Sequence, residues 1–422
     1  MQNGSTTAAR RPRAVLVAVD SGQRGWSPED SVAELRRLAD TASIECVETV
    51  VQRLRTVQPL SYLGKGKVRE LKEQKGSLHF DTVIADDELS PAQQRHLEEV
   101  LDVQVLDRTA VILHIFAQHA RTREGRLQVE LAQYRYRLPR LTGRGVELSR
   151  LGAGINTRGP GETKLESDRR RMRSRIAELT REIEQVREVR SLHRRQRRSS
   201  GIPVVALVGY TNAGKSTLMN ALTGAGVWSS DQLFATLDPT TRRIELPNHQ
   251  EVLLTDTVGF IHKLPTDLVA AFRATLEEIT EADVILHVVD AAQPQLLEQA
   301  QAVEDELEAL GVETRPRVTA LNKADLVDRA EVPLLRKRFP HPVMVSALER
   351  SGLDVLQNVI AEQIAEGFVS VRVQIPYTEA SFVNLFRSRG MVERQDERAG
   401  GTVITGRLPA SLLPSFREFL SP

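Results

Sequence analysis

The chain has 422 residues, 57 Lys/Arg against 56 Asp/Glu and a formal net charge of +1, a length that exceeds one hydrophobic core and predicts about three domains. Its single cysteine, Cys46, excludes an internal disulfide and a cysteine-built metal site, and reads as a core residue in a reducing compartment. No run reaches the roughly 18 apolar residues of a membrane span, and the polar, basic residues 1–13 lack the apolar segment of a secretory signal, so a cytoplasmic protein is expected.

Residues 1–13 read as a disordered tail. From 14 to 120, short apolar runs alternate with helical periods: strands at 14–18, 43–51, 82–85 and 103–106, helices at 28–39, 66–74, 91–101 and 109–120. That alternation predicts βα units around a mainly parallel sheet. The turn 62–67, YLGKGK, pairs glycines with lysines between a strand and a helix. It is either a phosphate-holding helix N-terminus or a solvated turn.

Residues 121–200 read as helices only. They hold 22 Lys/Arg and 10 Asp/Glu, a local +12 that leaves −11 for the rest of the chain. Leu127, Leu131, Tyr134 and Leu138 form one apolar stripe ending at Pro139; Leu165, Met172, Ile176, Leu179, Ile183 and Val186 form another. Two stripes separated by a loop predict an antiparallel helical hairpin. The loop, 149–171, combines glycines and proline with Arg150, Arg158, Lys164, Arg169, Arg170 and Arg171. Such a tip fits an irregular RNA surface through salt-sensitive phosphate contacts, although an arginine run on a helix is ordinarily a solvated face.

Residues 201–366 alternate strand and helix again, with strands at 204–208, 243–246, 252–255, 284–289, 318–321 and 343–346. The first leads into Gly209-Tyr210-Thr211-Asn212-Ala213-Gly214-Lys215-Ser216, a phosphate-binding loop: the glycines let the backbone wrap an anion, Lys215 bridges the β- and γ-phosphates and Ser216 ligates magnesium. Asp256-Thr257-Val258-Gly259 follows the third strand; Asp256 would hold magnesium through water and Gly259 would offer its amide to a γ-phosphate. In Asn322-Lys323-Ala324-Asp325, the Asp325 carboxylate can accept from both N1–H and the exocyclic amine of guanine, a donor pair adenine lacks. Ser346-Ala347-Leu348 would supply the Ala347 amide to the guanine oxygen. Each tetrapeptide is weak evidence alone, but four in order, each at a strand end, define a guanine-nucleotide site.

These motifs are those of the GTPase superfamily. Together with Leu63-Gly64-Lys65-Gly66-Lys67, Arg158-Gly159-Pro160-Gly161-Glu162-Thr163, Leu165-Glu166, Asp168-Arg169-Arg170 and Phe234-Ala235-Thr236-Leu237-Asp238-Pro239, they make the chain resemble the HflX-type GTPases nearly end to end. The resemblance implies a cytoplasmic, ribosome-associated enzyme that hydrolyses GTP to GDP, binds the large ribosomal subunit (rRNA) with its N-terminal domains, and helps dissociate stalled or idle ribosomes; a monomer is expected. It also implies that Thr236 joins Ser216 on magnesium (Mg2+), though on spacing alone Thr240 or Thr241 remains open. Phe260 stands where many GTPases place a water-orienting glutamine, so hydrolysis should be slow unaided. Asn212 resembles the asparagine of potassium-activated GTPases and would help hold K+ near the β/γ bridge; the plain alternative is a loop-stiffening hydrogen bond. GTP is expected to order the loops 234–241 and 256–264.

Residues 367–422 read as a small α+β domain with strands at 369–375, 391–394 and 402–407 and helices at 379–387 and 412–420. The expected architecture is therefore an α/β P-loop GTPase domain (201–366) with a doubly wound, mainly parallel sheet, preceded by an α/β subdomain (14–120) and the basic hairpin (121–200) and followed by the α+β domain. Two other functions fit the same motifs: a nucleotide-gated rRNA-binding or ribosome-assembly scaffold with incidental hydrolysis, and a tRNA-modification GTPase, which would need a further one-carbon or redox site that the sequence does not display.

Overall fold

The computed structural model describes residues 11–22, 26–141, 160–199, 201–224, 233–234, 236–263 and 273–421. These fall into two compact units, one running to Ile183 and including His262 and Lys263, the other comprising Glu184 to Ile261 and the chain from 273 onward. Among the described residues, no helix is long and apolar enough to cross a membrane.

The first unit is built on four parallel strands, β1 (Arg13–Asp20), β2 (Glu45–Arg53), β3 (Thr82–Ala85) and β4 (Gln104–Asp107), in the order β2-β1-β3-β4. Four helices alternate with them: α1 (Pro28–Thr41), α2 (Lys65–Leu78), α3 (Pro91–Leu101) and α4 (Arg108–His119). Starts are set locally. Ser27 caps α1 and Ser90 closes a capping box on α3, each followed by proline at the first helical turn, where its missing N–H costs nothing. At the 62–67 turn, Tyr62 and Leu63 are core residues, the Gly64 amide donates to Gln52 Oε1 (2.8 Å) and Lys67 pairs with Glu70 (2.7 Å). The solvated turn describes it better than a phosphate site, because its first amide is already used. Cys46 corrects the expectation of a core residue: it lies on the edge strand β2, half-buried, with burial pushing its thiol up to about 11.

Helix α5 (Arg123–Arg140) carries Pro139 inside its last turn instead of stopping before it. Helix α6 (Pro160–Ser199) begins within the stretch expected to be loop, since a proline at the first helical position is pre-set for a helix. The two are antiparallel where they belong to the first unit: Arg175 grips the Glu130 carboxylate at 2.9 and 3.1 Å, and Arg123 meets Glu182 at 3.5 Å. Leu127 and Leu179 are buried as the stripes predict, and Val129 and Ala132 are buried beside them because α5 also packs on α4.

The second unit holds a six-stranded sheet of β5 (Val204–Gly209), β6 (Thr240–Glu245), β7 (Glu251–Asp256), β8 (Val284–Asp290), β9 (Arg317–Asn322) and β10 (Pro342–Met344). Its order is β10-β9-β8-β5-β7-β6, with only the edge strand β6 antiparallel. Around it lie α7 (Lys215–Thr223), α8 (Arg273–Thr280), α9 (Leu296–Ala309), α10 (Val332–Arg336) and α11 (Leu353–Glu366). The core is the apolar stretch of β5, β7, β8 and β9 against α7 and α11, with Val205, Leu207, Leu254, Leu286, Val318 and Ile360 all but excluded from solvent. The C-terminal part is a three-stranded antiparallel sheet, β11 (Val369–Ile375), β13 (Gly401–Leu408) and β12 (Met391–Arg398) in that spatial order, with α12 (Ala380–Arg389) on one face. Its final segment is a 3-10 turn, Ala410–Phe419, whose Phe416 packs edge-on against Phe386 at 5.7 Å.

One buried titratable group is unrelated to the strand ends. His287 on β8 is shut off from water, and burial pushes its imidazole down to about 3, so its 3.4 Å approach to Glu304 is not an ion pair at neutral pH; Glu304 pairs instead with Arg317. Between pH 6.5 and about 3 the unfolded chain takes up a proton that the folded chain refuses. Stability is therefore unaffected above pH 6.5 and falls on acidification by about 1.4 kcal/mol per pH unit. The unfolding midpoint of the wild type should drop more between pH 6.5 and 4.5 than that of His287→Leu; parallel losses in a melting series would disprove this.

Candidate functional site

The chemistry sits at the carboxyl ends of β5, β7, β8 and β9, around the central strand β5, from which the chain passes to β6 and β7 on one side before crossing to β8 on the other, the usual ligand position in an open α/β sheet. Gly209 ends β5 with φ +155°, and a Cβ there would stand 2.2 Å from the Val288 carbonyl. Gly214 has φ +92°, and a Cβ would stand 2.2 Å from the Asn322 side chain. Both positions exclude a side chain. Asn212 also has a positive φ, 62°, a region asparagine tolerates. The loop thus closes tightly and delivers Lys215 at the start of α7.

Lys215 is buried, its ammonium donating to the carbonyls of Gly209 (3.0 Å) and Tyr210 (2.8 Å), and burial lowers it to about 8. Ser216 Oγ, Thr236 Oγ1 and Asp256 Oδ2 converge: Ser216 to Asp256 is 2.8 Å, Thr236 to Asp256 2.9 Å and Ser216 to Thr236 2.8 Å. Burial pushes the Asp256 carboxyl up, against Lys215 and these two hydroxyls, and its Oδ1 is buried without a partner. Three hard oxygens with an unsatisfied carboxylate atom fit a magnesium ion. Thr240 lies opposite Asp256 in the β6–β7 ladder and Thr241 bonds Thr255 (3.0 Å), so of the three threonines it is Thr236 that reaches the cluster.

Thr257 ties the end of β7 to β5 through its hydroxyl and the Leu207 carbonyl (2.6 Å), and Val258 is buried. Gly259 lies against the phosphate loop: a Cβ would meet Thr211 at 2.9 Å and Lys215 Nζ at 3.0 Å. Phe260 is turned into the core, and its backbone is clamped by Thr211 N donating to its carbonyl (2.8 Å) and its own amide donating to Gly209 O (3.1 Å). No side chain at that position faces the phosphate loop to order a water.

The base-reading loops join the phosphate loop through one side chain. Asn322 donates to the Ala213 carbonyl (2.9 Å) and accepts from the Ala347 amide (3.0 Å). Lys323, at φ 60°, reaches back to the buried Asp290 (2.7 Å), and Ala324 N donates to Val345 O (3.0 Å). Asp325 is exposed on the turn that follows, with its carboxylate unencumbered by burial. Ser346 is buried, its hydroxyl accepting from Glu349 N (3.1 Å), while Leu348 is 76% exposed. The sequence reading missed Asp290; the signal was an apolar run, 284–289, ending on a carboxylate, the same pattern that marked Asp256.

Of the other site residues, Phe234, Leu237 and Asp238 flank Thr236, with Phe234 buried at φ 58°. Ala235, Arg150 and Arg158 lie outside the described residues, as does the Lys164 side chain. Arg169, Arg170 and Arg171 lie on α6, not in a loop, and Arg170 and Arg171 are exposed.

A parallel sheet that carries a lysine-bearing phosphate loop, a hydroxyl–carboxylate cluster and an Asn-Lys-x-Asp turn at its strand ends is that of a P-loop GTPase. The sequence profile described as 50S ribosome-binding GTPase matches residues 204–323, and those described as GTP-binding GTPase N-terminal and middle regions match 29–117 and 119–197. GTPase HflX of Caldanaerobacter subterraneus subsp. tengcongensis is 46% identical across 98% of this chain and 95% of its own length. GTPase HflX of Lacrimispora saccharolytica is 46% identical across 96% of each, and that of Escherichia coli K12 is 40% identical across 90% of each. The chain belongs to the HflX family of GTPases, and it hydrolyses GTP.

Gly214→Ala forces a side chain into the Asn322 amide at a φ alanine avoids. Losing part of that bridge should cost about 2 kcal/mol, a roughly thirtyfold weaker guanine-nucleotide affinity. Titration with a fluorescent GDP measures it; wild-type affinity would contradict the packing described.

Proposed function

We propose that this GTPase is a nucleotide-gated switch that binds the large ribosomal subunit and helps dissociate stalled or idle ribosomes. The observation carrying the switch is the meeting of Thr236 with Ser216 and Asp256, which puts the 234–241 loop where it can sense a magnesium-bound terminal phosphate. In this reading Lys215 neutralises the β- and γ-phosphates, Ser216 and Thr236 ligate magnesium directly and Asp256 through water, and Gly259 donates to the γ-phosphate. Asp325 accepts from the guanine N1–H and amine; the Ala347 amide, expected to serve the guanine oxygen, is taken by Asn322 Oδ1 (3.0 Å) and would have to leave it to do so. Residues 210–213, 257–258, 346 and 348 line the nucleotide. Magnesium supplies charge neutralisation at the phosphates; Asn212 would help hold a potassium ion in the same role.

The buried Phe260 leaves no side chain to orient water, so the enzyme should be slow alone and be stimulated on the ribosome. The ribosomal partner is supported by the description of the matching profile and by the excess of arginine over acid in 121–200, with Arg170 and Arg171 exposed. Contacts of that kind are to phosphate, and a monomer acting in the cytoplasm suffices for them.

Ribosomes sedimented through sucrose with the protein should separate into subunits when GTP or a non-hydrolysable analogue is present and stay intact with GDP. Separation that ignores the nucleotide, or RNA binding without separation, would contradict the switch and favour a scaffold.

A further inference from the structure

Hydrolysis needs a water held in line behind the terminal phosphate, and Phe260, turned into the core, cannot hold it. Within the second unit, the groups that flank that phosphate are Lys215 Nζ and the Gly259 amide. A third residue meets them. A Cβ on Gly259 would stand 3.0 Å from Lys215 Nζ and 2.9 Å from both the Cα and the Cγ2 of Thr211, so the Thr211 side chain borders the spot between the two. Its backbone is fixed there, the Thr211 amide donating to the Phe260 carbonyl (2.8 Å).

Neighbouring hydroxyls are committed elsewhere. Ser216 and Thr236 donate to Asp256 (2.8 and 2.9 Å), and Thr257 donates to the Leu207 carbonyl (2.6 Å). Thr211 differs from them: it is 7% exposed, yet its hydroxyl is buried without a hydrogen-bond partner. An unpaired buried hydroxyl is destabilising, and a valine of the same shape would avoid that cost. For the fold alone, threonine is the worse residue here. Its hydroxyl calls for a partner from outside the chain, and beside Lys215 such a partner is a phosphate oxygen or a water. The methyl and the hydroxyl share one Cβ, so a turn about χ1 between staggered wells brings the hydroxyl to where the methyl faces Gly259.

We infer that Thr211 is a further catalytic residue for GTP hydrolysis: its hydroxyl accepts a hydrogen bond from the attacking water and donates one to an oxygen of the terminal phosphate, setting the water behind the phosphorus. The inference rests on Lys215 and Gly259 holding that phosphate. The water oxygen bonds to the γ-phosphorus as the bond from phosphorus to the β–γ bridging oxygen breaks, and the electron pair of that bond leaves with the diphosphate. One water proton passes to a γ-phosphate oxygen, and Thr211 ends unchanged. A neutral hydroxyl is too weak a base to take the proton itself, so what it supplies is orientation. A diphosphate offers neither of the two partners and is indifferent to it.

Thr211→Val removes only the hydroxyl and breaks no hydrogen bond of that hydroxyl within the protein, so the variant should melt no lower than wild type. In the full-length protein without ribosomes, its single-turnover hydrolysis should be about tenfold slower, the worth of one hydrogen bond in a transition state, with GDP affinity unchanged. Affinity for GDP with aluminium fluoride, which mimics the phosphoryl group in transfer, should fall by the same factor. Thr211→Ser should restore both. If the valine variant misfolds, Thr211→Ala set against Thr211→Ser makes the same comparison. A Thr211→Val protein with the wild-type rate overturns the inference, as does a serine variant as slow as the valine one; an equal loss for GDP marks a merely structural residue and overturns it too. Lys215→Ala tells the two failures apart. If that variant hydrolyses GTP like wild type, the assignment of the phosphate to Lys215 and Gly259 falls and takes the inference with it, whereas an inactive Lys215→Ala beside a fully active Thr211→Val sinks the inference alone.

Discussion

Two opposite charges withdrawn from water set the terms for this molecule. Lys215 is held by two backbone carbonyls and Asp256 by two hydroxyls, so neither is neutralised by the groups it touches. Burial accordingly drives the ammonium down and the carboxyl up. Uncompensated buried ions cost several kcal/mol each; in the proposed reading a bound polyanion would offset that cost for the lysine and a divalent cation for the aspartate. The site is expensive in the absence of its ligand, which is why its supports are rigid: glycines at 209 and 214 that admit no side chain, and Asn322 locking the phosphate loop to the base-reading loop.

That rigidity has a directional consequence. The loops after β5, β7 and β9 are joined by short hydrogen bonds, whereas Thr236 reaches the cluster on a connection between α7 and β6 and can leave without unmaking the sheet. In the proposed switch, a terminal phosphate would change the occupancy of this contact and little else in the core.

Much of this was legible in the residues because strands buried on both faces are written as continuous apolar runs. Val204 to Val208 and Val284 to Val289 needed no tertiary information, and the motifs sit where such runs stop. The capped helices were equally clear: α3 falls on residues 91–101, bounded by a serine–proline start. What could not be read was pairing across long separations. Arg108 at the start of a helix, Glu34 within another and Asp86 after a strand look like solvated charges, and only the fold brings them together from 22 to 74 residues apart. The 160–171 stretch was read as loop because of its glycines and proline, although proline at a first helical position starts a helix as well as it breaks one. Cys46 was placed in the core by composition, whereas an edge strand leaves it half-covered. Spacing left three threonines for the metal, and geometry chose among them.

The central claim is that the site is completed by a guanine triphosphate together with magnesium. Its most direct test is competition against bound fluorescent GDP. With magnesium present, GTP should displace it at least a hundredfold better than ATP, the worth of the charged hydrogen bonds from guanine to Asp325, and chelating the metal should weaken GTP markedly. Displacement by ATP as readily as by GTP, or a GTP affinity untouched by chelation, would contradict the account.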